Sequence, residues 1–125
     1  MVINNTYNLA VITGYVVGEV QIKDEEEEEK KVARIKLVTN HGFFLNDEWQ
    51  KRFEYHYVYA RKHLVEKAKR LTKGDLVHVV GSIRSKKYVN EKGKTQNFVF
   101  IAADAVVFNS RKAINTGKAK INHID

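Results

Sequence analysis

The sequence contains no cysteine, which removes a disulfide framework, a thiolate zinc site and a cysteine nucleophile together, and fits a reducing compartment. It contains no run of the 18 to 20 apolar residues that spanning a bilayer takes, so no membrane association is expected. The first residues, Met1-Val2-Ile3-Asn4-Asn5-Thr6, lack the basic start and apolar block of a secretory signal and the arginine-rich character of a transit peptide. A cytoplasmic location is expected. No phosphate-cradling glycine loop, nucleophile elbow or paired-carboxylate motif occurs. His41, His63, His78 and His123 show no metal-ligand spacing. Neither enzyme activity nor a cofactor is expected.

What is abundant is positive charge. The 125 residues carry a formal net charge of +7 with a pI near 9.6, and the six acidic residues at 24–29 hide a remainder of 7 + 6 = +13. A chain of this size forms one domain by default, and clustered lysine and arginine on such a domain favour a polyanionic partner. The acidic run has no apolar periodicity and reads as a solvated hairpin loop without the spaced ligands of a calcium site.

The most informative stretch is 53–60, Phe-Glu-Tyr-His-Tyr-Val-Tyr-Ala. Side chains of a strand alternate between faces, which places Phe53, Tyr55, Tyr57 and Tyr59 on one side and Glu54, His56, Val58 and Ala60 on the other. The aromatic row suits either a core layer or an exposed stacking platform. His56 shares a parity with Val58 and Ala60, so a hydrogen-bonded histidine in the core or at an interface is expected there.

Upstream, 8–20 is rich in β-branched residues and interrupted by Gly14 and Gly18, predicting one long curved strand. Residues 32–39 alternate with Arg34 and Lys36 on the outer parity. Residues 40–52 show no period and are expected to form a long hairpin loop, whose Phe43, Phe44 and Trp49 are hidden, used in an interface or stacked on a ligand. Residues 61–71 shift to helical spacing through Leu64, Val65, Ala68 and Leu71, and a turn with Gly74 ends the helix. Residues 76–88 form a strand with Val77, Val79, Gly81 and Ile83 on one parity; the other becomes basic at Arg84 and Lys86 and ends in Tyr88. A turn at 90–93 leads to a last strand, 98–108, apolar on both parities and therefore expected to be buried on both sides. The predicted fold is all-β: a five-stranded OB-fold barrel over residues 1–109, with one helix between its third and fourth strands, followed by a basic, flexible tail at 110–125.

Four blocks carry a family resemblance: Asn8-Leu-Ala-Val-Ile-Thr-Gly14, Glu54-Tyr-His-Tyr-Val-Tyr59, Lys73-Gly-Asp-Leu-Val-His-Val-Val-Gly81-Ser-Ile-Arg84 and Ile101-Ala-Ala-Asp-Ala-Val-Val-Phe108. In this order they resemble the bacterial, phage and mitochondrial single-stranded DNA-binding protein family across about residues 4 to 110. The family usually has tryptophan where this chain has Tyr55; Tyr88 stands in the place of a stacking aromatic, and Phe43 falls near another. Arg34, Lys36, Arg84 and Lys86 fall where basic residues line the groove. The resemblance implies a non-catalytic binder of single-stranded DNA in replication, recombination or repair, and a homo-oligomer, with a tetramer favoured over a dimer. Stacking candidates are then Tyr55, Tyr57, Tyr59, Tyr88, Phe43 and Trp49; phosphate-binding candidates are Arg34, Lys36, Lys51, Arg52, Arg84, Lys86 and Lys87. The chain departs from bacterial members at its end, where an acidic, hydrophobic tip that recruits replication proteins is replaced by basic sequence, so recruitment through such a tip is not expected. Alternatives are a dimeric primosomal accessory protein, an RNA-binding OB domain, a structural adaptor and, from another class, a metal-dependent nuclease using the acidic run.

Overall fold

Residues with alternating apolar character pair wherever one parity can be removed from water, and here that parity closes a barrel. The computed structural model describes residues 6–23 and 30–108; the acidic run at 24–29 and the basic tail at 110–125 lie outside them. Among the described residues the elements are β1 (Ala10–Val16), β2 (Gln21–Lys23), β3 (Val32–Leu45), β4 (Glu48–Arg61), α1 (His63–Ala68), β5 (Leu76–Val89) and β6 (Thr95–Phe108). The ladder runs β1-β5-β6-β4-β3-β2, and a further β1–β3 pairing closes it. All pairings are antiparallel except β4–β6, where Val58 and Tyr59 pair in parallel with Ile101 and Ala102.

The expected long first strand is in fact two pieces. β1 stops at Val16 and β2 resumes at Gln21 against β3, because Gly18 adopts φ 73° and takes the chain out of extended conformation. Counted as one interrupted strand, β1 and β2 leave a five-stranded barrel with its helix between the third and fourth strands, the OB-fold architecture. β1 can lie against both β3 and β5 because Gly14 has no side chain: a Cβ there would stand 2.6 Å from the Val38 carbonyl oxygen.

The barrel interior is filled by one parity of each strand. Ala33, Ile35 and Leu37 of β3, Val58 and Ala60 of β4, and Val77 and Val79 of β5 are fully buried. α1 closes one end with Leu64, Val65 and Ala68, joined by Leu71 from the following turn. The helix is shorter than the 61–71 expected. Arg61 still belongs to β4 and Lys62 has φ 54°, while Leu71 reaches the same core from a turn, which preserves the apolar spacing beyond the helical backbone.

That turn holds a buried carboxylate. Asp75 is 1% exposed; its Oδ2 accepts hydrogen bonds from the Thr72 amide at 2.8 Å and the Thr72 hydroxyl at 3.2 Å. The Gly74 amide donates to the Val16 carbonyl and the Val16 amide to the Asp75 carbonyl, each at 2.9 Å. The turn is thereby clipped to the end of β1. Removing a carboxylate that satisfies buried donors leaves them unpaired, so Asp75→Ala is expected to cost about 2 to 3 kcal/mol, read as a lower urea midpoint at unchanged m-value.

Two other expectations are corrected. Residues 40–52 are not a loop: β3 and β4 stay paired from Val32↔Arg61 to Leu45↔Glu48. They are joined by a two-residue turn in which Asn46 and Asp47 have φ 53° and 63°, the left-handed pair of a type I′ hairpin. β6 is not buried on both sides. Val80 pairs with Ala105 but Gly81 with Ala103, so Asp104 is an extra residue in β6, and the bulge moves the inward parity from Ile101 and Ala103 to Val106 and Phe108.

Candidate nucleic-acid interface

The outward parity of β3, β4 and β6, together with the distal half of β5, forms one continuous aromatic and basic surface. Residues opposed in an antiparallel ladder share a face. Arg34 opposes Tyr59, Lys36 opposes Tyr57 and Val38 opposes Tyr55, so the basic parity of β3 and the tyrosine row of β4 lie side by side. On the far side of β4, Phe98 and Phe100 of β6 close the cluster. The Tyr59 and Phe100 rings stack with centroids 4.5 Å apart at 28°, and Tyr57 lies 5.3 Å from Phe98. Lys86 and Arg84 oppose Phe98 and Phe100 across the β5–β6 ladder.

Cations already lie over these rings. Lys36 Nζ is 4.9 Å from the Tyr55 centroid, the Arg34 guanidinium 5.2 Å from that of Tyr57, and Lys86 Nζ 5.0 Å from that of Tyr59. An exposed cation–π contact contributes about 0.5 to 1 kcal/mol, less than the roughly 1 to 3 kcal/mol of a base stacked on an aromatic. A planar base can therefore displace a lysine, whose ammonium needs only a small swing to meet the adjoining phosphate. The Arg34 Nη2 donates to Gln21 Oε1 at 2.7 Å and Arg84 Nε to Ser82 Oγ at 3.1 Å. Among the described residues, Arg34, Lys36, Arg84 and Lys86 form no ion pair.

The sequence candidates divide by parity. Tyr55, Tyr57 and Tyr59 lie in the cluster; Tyr55 is 58% exposed, and the other two are half-buried against the phenylalanines. Phe53, Lys51 and Trp49 continue the same parity outward along β4. Trp49 covers Gly42, where any Cβ would run into the indole, and meets Phe44 edge-on at 5.0 Å. Tyr88 opposes Gln96 near the tip of the β5–β6 hairpin, on the parity of Arg84 and Lys86. Phe43 and Arg52 fall on the reverse face of the β3–β4 ribbon, with the Arg52 guanidinium 5.7 Å from the Phe43 ring and His41 beside it. Glu48 and Glu54 share that reverse parity, which makes it less attractive to phosphate than the tyrosine side. Lys87 opposes Asn97 on the parity away from Lys86.

Sequence reading missed Phe98 and Phe100. Their i, i+2 spacing opposite Lys86 and Arg84 was a usable signal, masked by the bulge at Asp104. His56 is half-buried, with Nε2 2.9 Å from Thr39 Oγ1. Among the described residues no group of three or more His, Cys, Asp or Glu side chains could hold a metal ion.

The sequence profile of the single-strand binding protein family matches residues 7–109. The chain belongs to that family. The match spans every strand and the helix, so the aromatic surface just described lies wholly within the family domain. Among solved structures, the protein in the Plasmodium falciparum SSB complex with ssDNA superposes with a TM-score of 0.77 at 22% identity, covering 87% of this chain and 100% of that one. A small single-stranded DNA-binding protein from Streptomyces coelicolor gives 0.64 at 21% identity, covering 81% and 93%. At these identities the likeness is one of fold. No curated protein sequence matched the chain.

Proposed function

We propose that this family member binds single-stranded DNA without regard to sequence, holding the strand on the outer face of β3, β4 and β6. The observation that carries the reading is the interleaving of Tyr55, Tyr57, Tyr59, Phe98 and Phe100 with Arg34, Lys36 and Lys86 on one surface. Rings supply π-faces that every base can use, and cations supply phosphate contacts, a combination that gives tight, salt-dependent and sequence-tolerant binding. Duplex DNA keeps its bases stacked inside and offers the rings nothing. The role is protective, keeping strands open in replication, recombination or repair, and it needs no catalysis. Fluorescence titration with poly-dT, matching RNA and duplex DNA at two salt concentrations tests this through quenching of Trp49 and the tyrosines. Preference for the single DNA strand is expected, and equal affinity for duplex contradicts the reading.

The same chain is proposed to form a homo-oligomer, a tetramer in preference to a dimer. Supporting this, the outward parity of β1 and the proximal half of β5 exposes Leu9, Val11, Tyr15 and Leu76, extended by Val107 of β6. The only polar pair set among them by register is Thr13 with His78, which satisfy each other at 2.7 Å. A contiguous apolar surface with its polar groups paired suits contact with another protein surface. Leu76→Glu is expected to lower the mass seen by light scattering while leaving binding of a short dT oligonucleotide within about twofold, since Leu76 pairs with Tyr15 at the end of β5 remote from Arg84 and Lys86; an unchanged mass places the contact elsewhere.

A further inference from the structure

Two of the cavities that adjoin the ring cluster share one side-chain pair. The first, about 340 Å³, includes Glu19, Lys36 and Tyr57 in its lining; the second, about 450 Å³, includes Arg61, Tyr59 and Lys86; Gln21 and Arg34 line each of them. Gln21 of β2 directly opposes Arg34 of β3, and the 2.7 Å hydrogen bond joins their ends. The bond fixes the guanidinium over Tyr57, at 5.2 Å from its centroid. Resting on the proposal that this surface binds single-stranded DNA, we infer that the Gln21–Arg34 pair is a partition between two nucleobase subsites, one on Tyr57 and one on Tyr59, and that Gln21 is a positioning residue for Arg34.

The spacing supports two separate bases. Tyr57 and Tyr59 are two residues apart on one strand, about 6.6 Å, roughly twice the 3.4 Å rise per nucleotide of a stacked duplex strand. Bases resting on both rings cannot stack on each other, and a planar guanidinium suits the gap between them. Glu19 lines the first cavity beside Arg34 and Lys36 and offsets part of their charge, so that cavity suits a base, while the backbone passes along Lys36, Lys86 and the outer edge of the Arg34 guanidinium. Without Gln21, Arg34 keeps its charge but loses its orientation, because a free arginine side chain spreads over many rotamers. β2 thus contributes to the interface without offering a ring or a cation of its own at this position.

A double-mutant cycle with a short dT oligonucleotide tests the partition, using the full chain and the variants Gln21→Ala, Arg34→Met and both together. Gln21→Ala is expected to weaken binding about 3- to 10-fold with the salt dependence unchanged, because the number of cations is unchanged. Arg34→Met is expected to weaken binding and to lower the slope of log K against log salt by about 0.7. The double variant should match Arg34→Met within twofold. Equal losses from Gln21→Ala in both backgrounds mean that it acts only through the stability of β2, and overturn the partition. No loss from Gln21→Ala overturns it as well. A wild-type chain that does not bind the oligonucleotide overturns the underlying reading first, an outcome distinct from additive losses in a chain that does bind.

Discussion

Replacing Tyr57 and Tyr59 together by alanine is expected to weaken single-strand binding by about 2 to 6 kcal/mol, the sum of two stacking positions at roughly 1 to 3 kcal/mol each. Even the lower figure is a loss of about 30-fold in affinity. These two tyrosines are chosen over Tyr55 because they sit at the centre of the cluster. Each meets a phenylalanine of β6 and a cation, Arg34 of β3 at Tyr57 and Lys86 of β5 at Tyr59. Their half-buried rings also pack on Phe98 and Phe100, so the alanine variants lose some stability along with the stacking surface. Tyr57→Phe and Tyr59→Phe separate the two roles: they keep the ring and delete only the hydroxyl. Near-normal binding by the phenylalanine pair beside a large loss in the alanine pair, in chains that both give a folded circular dichroism spectrum, assigns the effect to stacking. Equal losses in the two pairs would instead point to the hydroxyls.

The second large effect concerns charge. Arg34→Met, Lys36→Met and Lys86→Met in one chain remove three cations while keeping apolar stems of similar reach over the rings. Each phosphate contact on a single strand contributes about 0.7 to the slope of log K against log salt, so the slope should fall by about 2. Over the decade from 1 M to 0.1 M salt, that slope change amounts to a loss of roughly 100-fold at the lower concentration, with variant and parent converging as salt rises. The pattern differs from that of the tyrosine variants, whose loss should persist at every salt concentration. A parallel triple change of Arg52, Lys87 and Lys92, which lie on the reverse ribbon face, on the opposite parity of β5 and in the β5–β6 turn, removes the same charge from the chain. If it lowered the slope equally, net charge rather than the built surface would govern binding.

Much of this surface was legible before any coordinates. Strict alternation in 53–60 placed Tyr55, Tyr57 and Tyr59 opposite His56, Val58 and Ala60, and the burial of Val58 and Ala60 leaves the tyrosines facing outward. The alternation works there because one side of β4 is barrel core. It fails from residue 40 to 52, where the β3–β4 ribbon projects beyond the barrel and both of its faces meet solvent. With no buried side to enforce an apolar parity, Phe43, Phe44, Trp49 and Phe53 fall on both faces, and only the left-handed Asn46-Asp47 turn marks the hairpin. In β6 the difficulty is of another kind. One extra residue at Asp104 exchanges the parities mid-strand, so a regular inward pattern reads as a strand apolar on both sides, and the outward Phe98 and Phe100 are lost in it. Gln21 carried no sequence signal at all; its part depends on a register between β2 and β3 that only folding brings together.

The central claim is that a single strand lies on the outer face of β3, β4 and β6, and ultraviolet cross-linking of the intact chain to oligo-dT, followed by mass-spectrometric mapping of the modified peptides, tests it most directly. Cross-links at Tyr55, Tyr57, Tyr59, Phe98 or Phe100 are the predicted result. Cross-links confined to Phe43 and His41, or to Tyr15 on the outer face of β1, would contradict it.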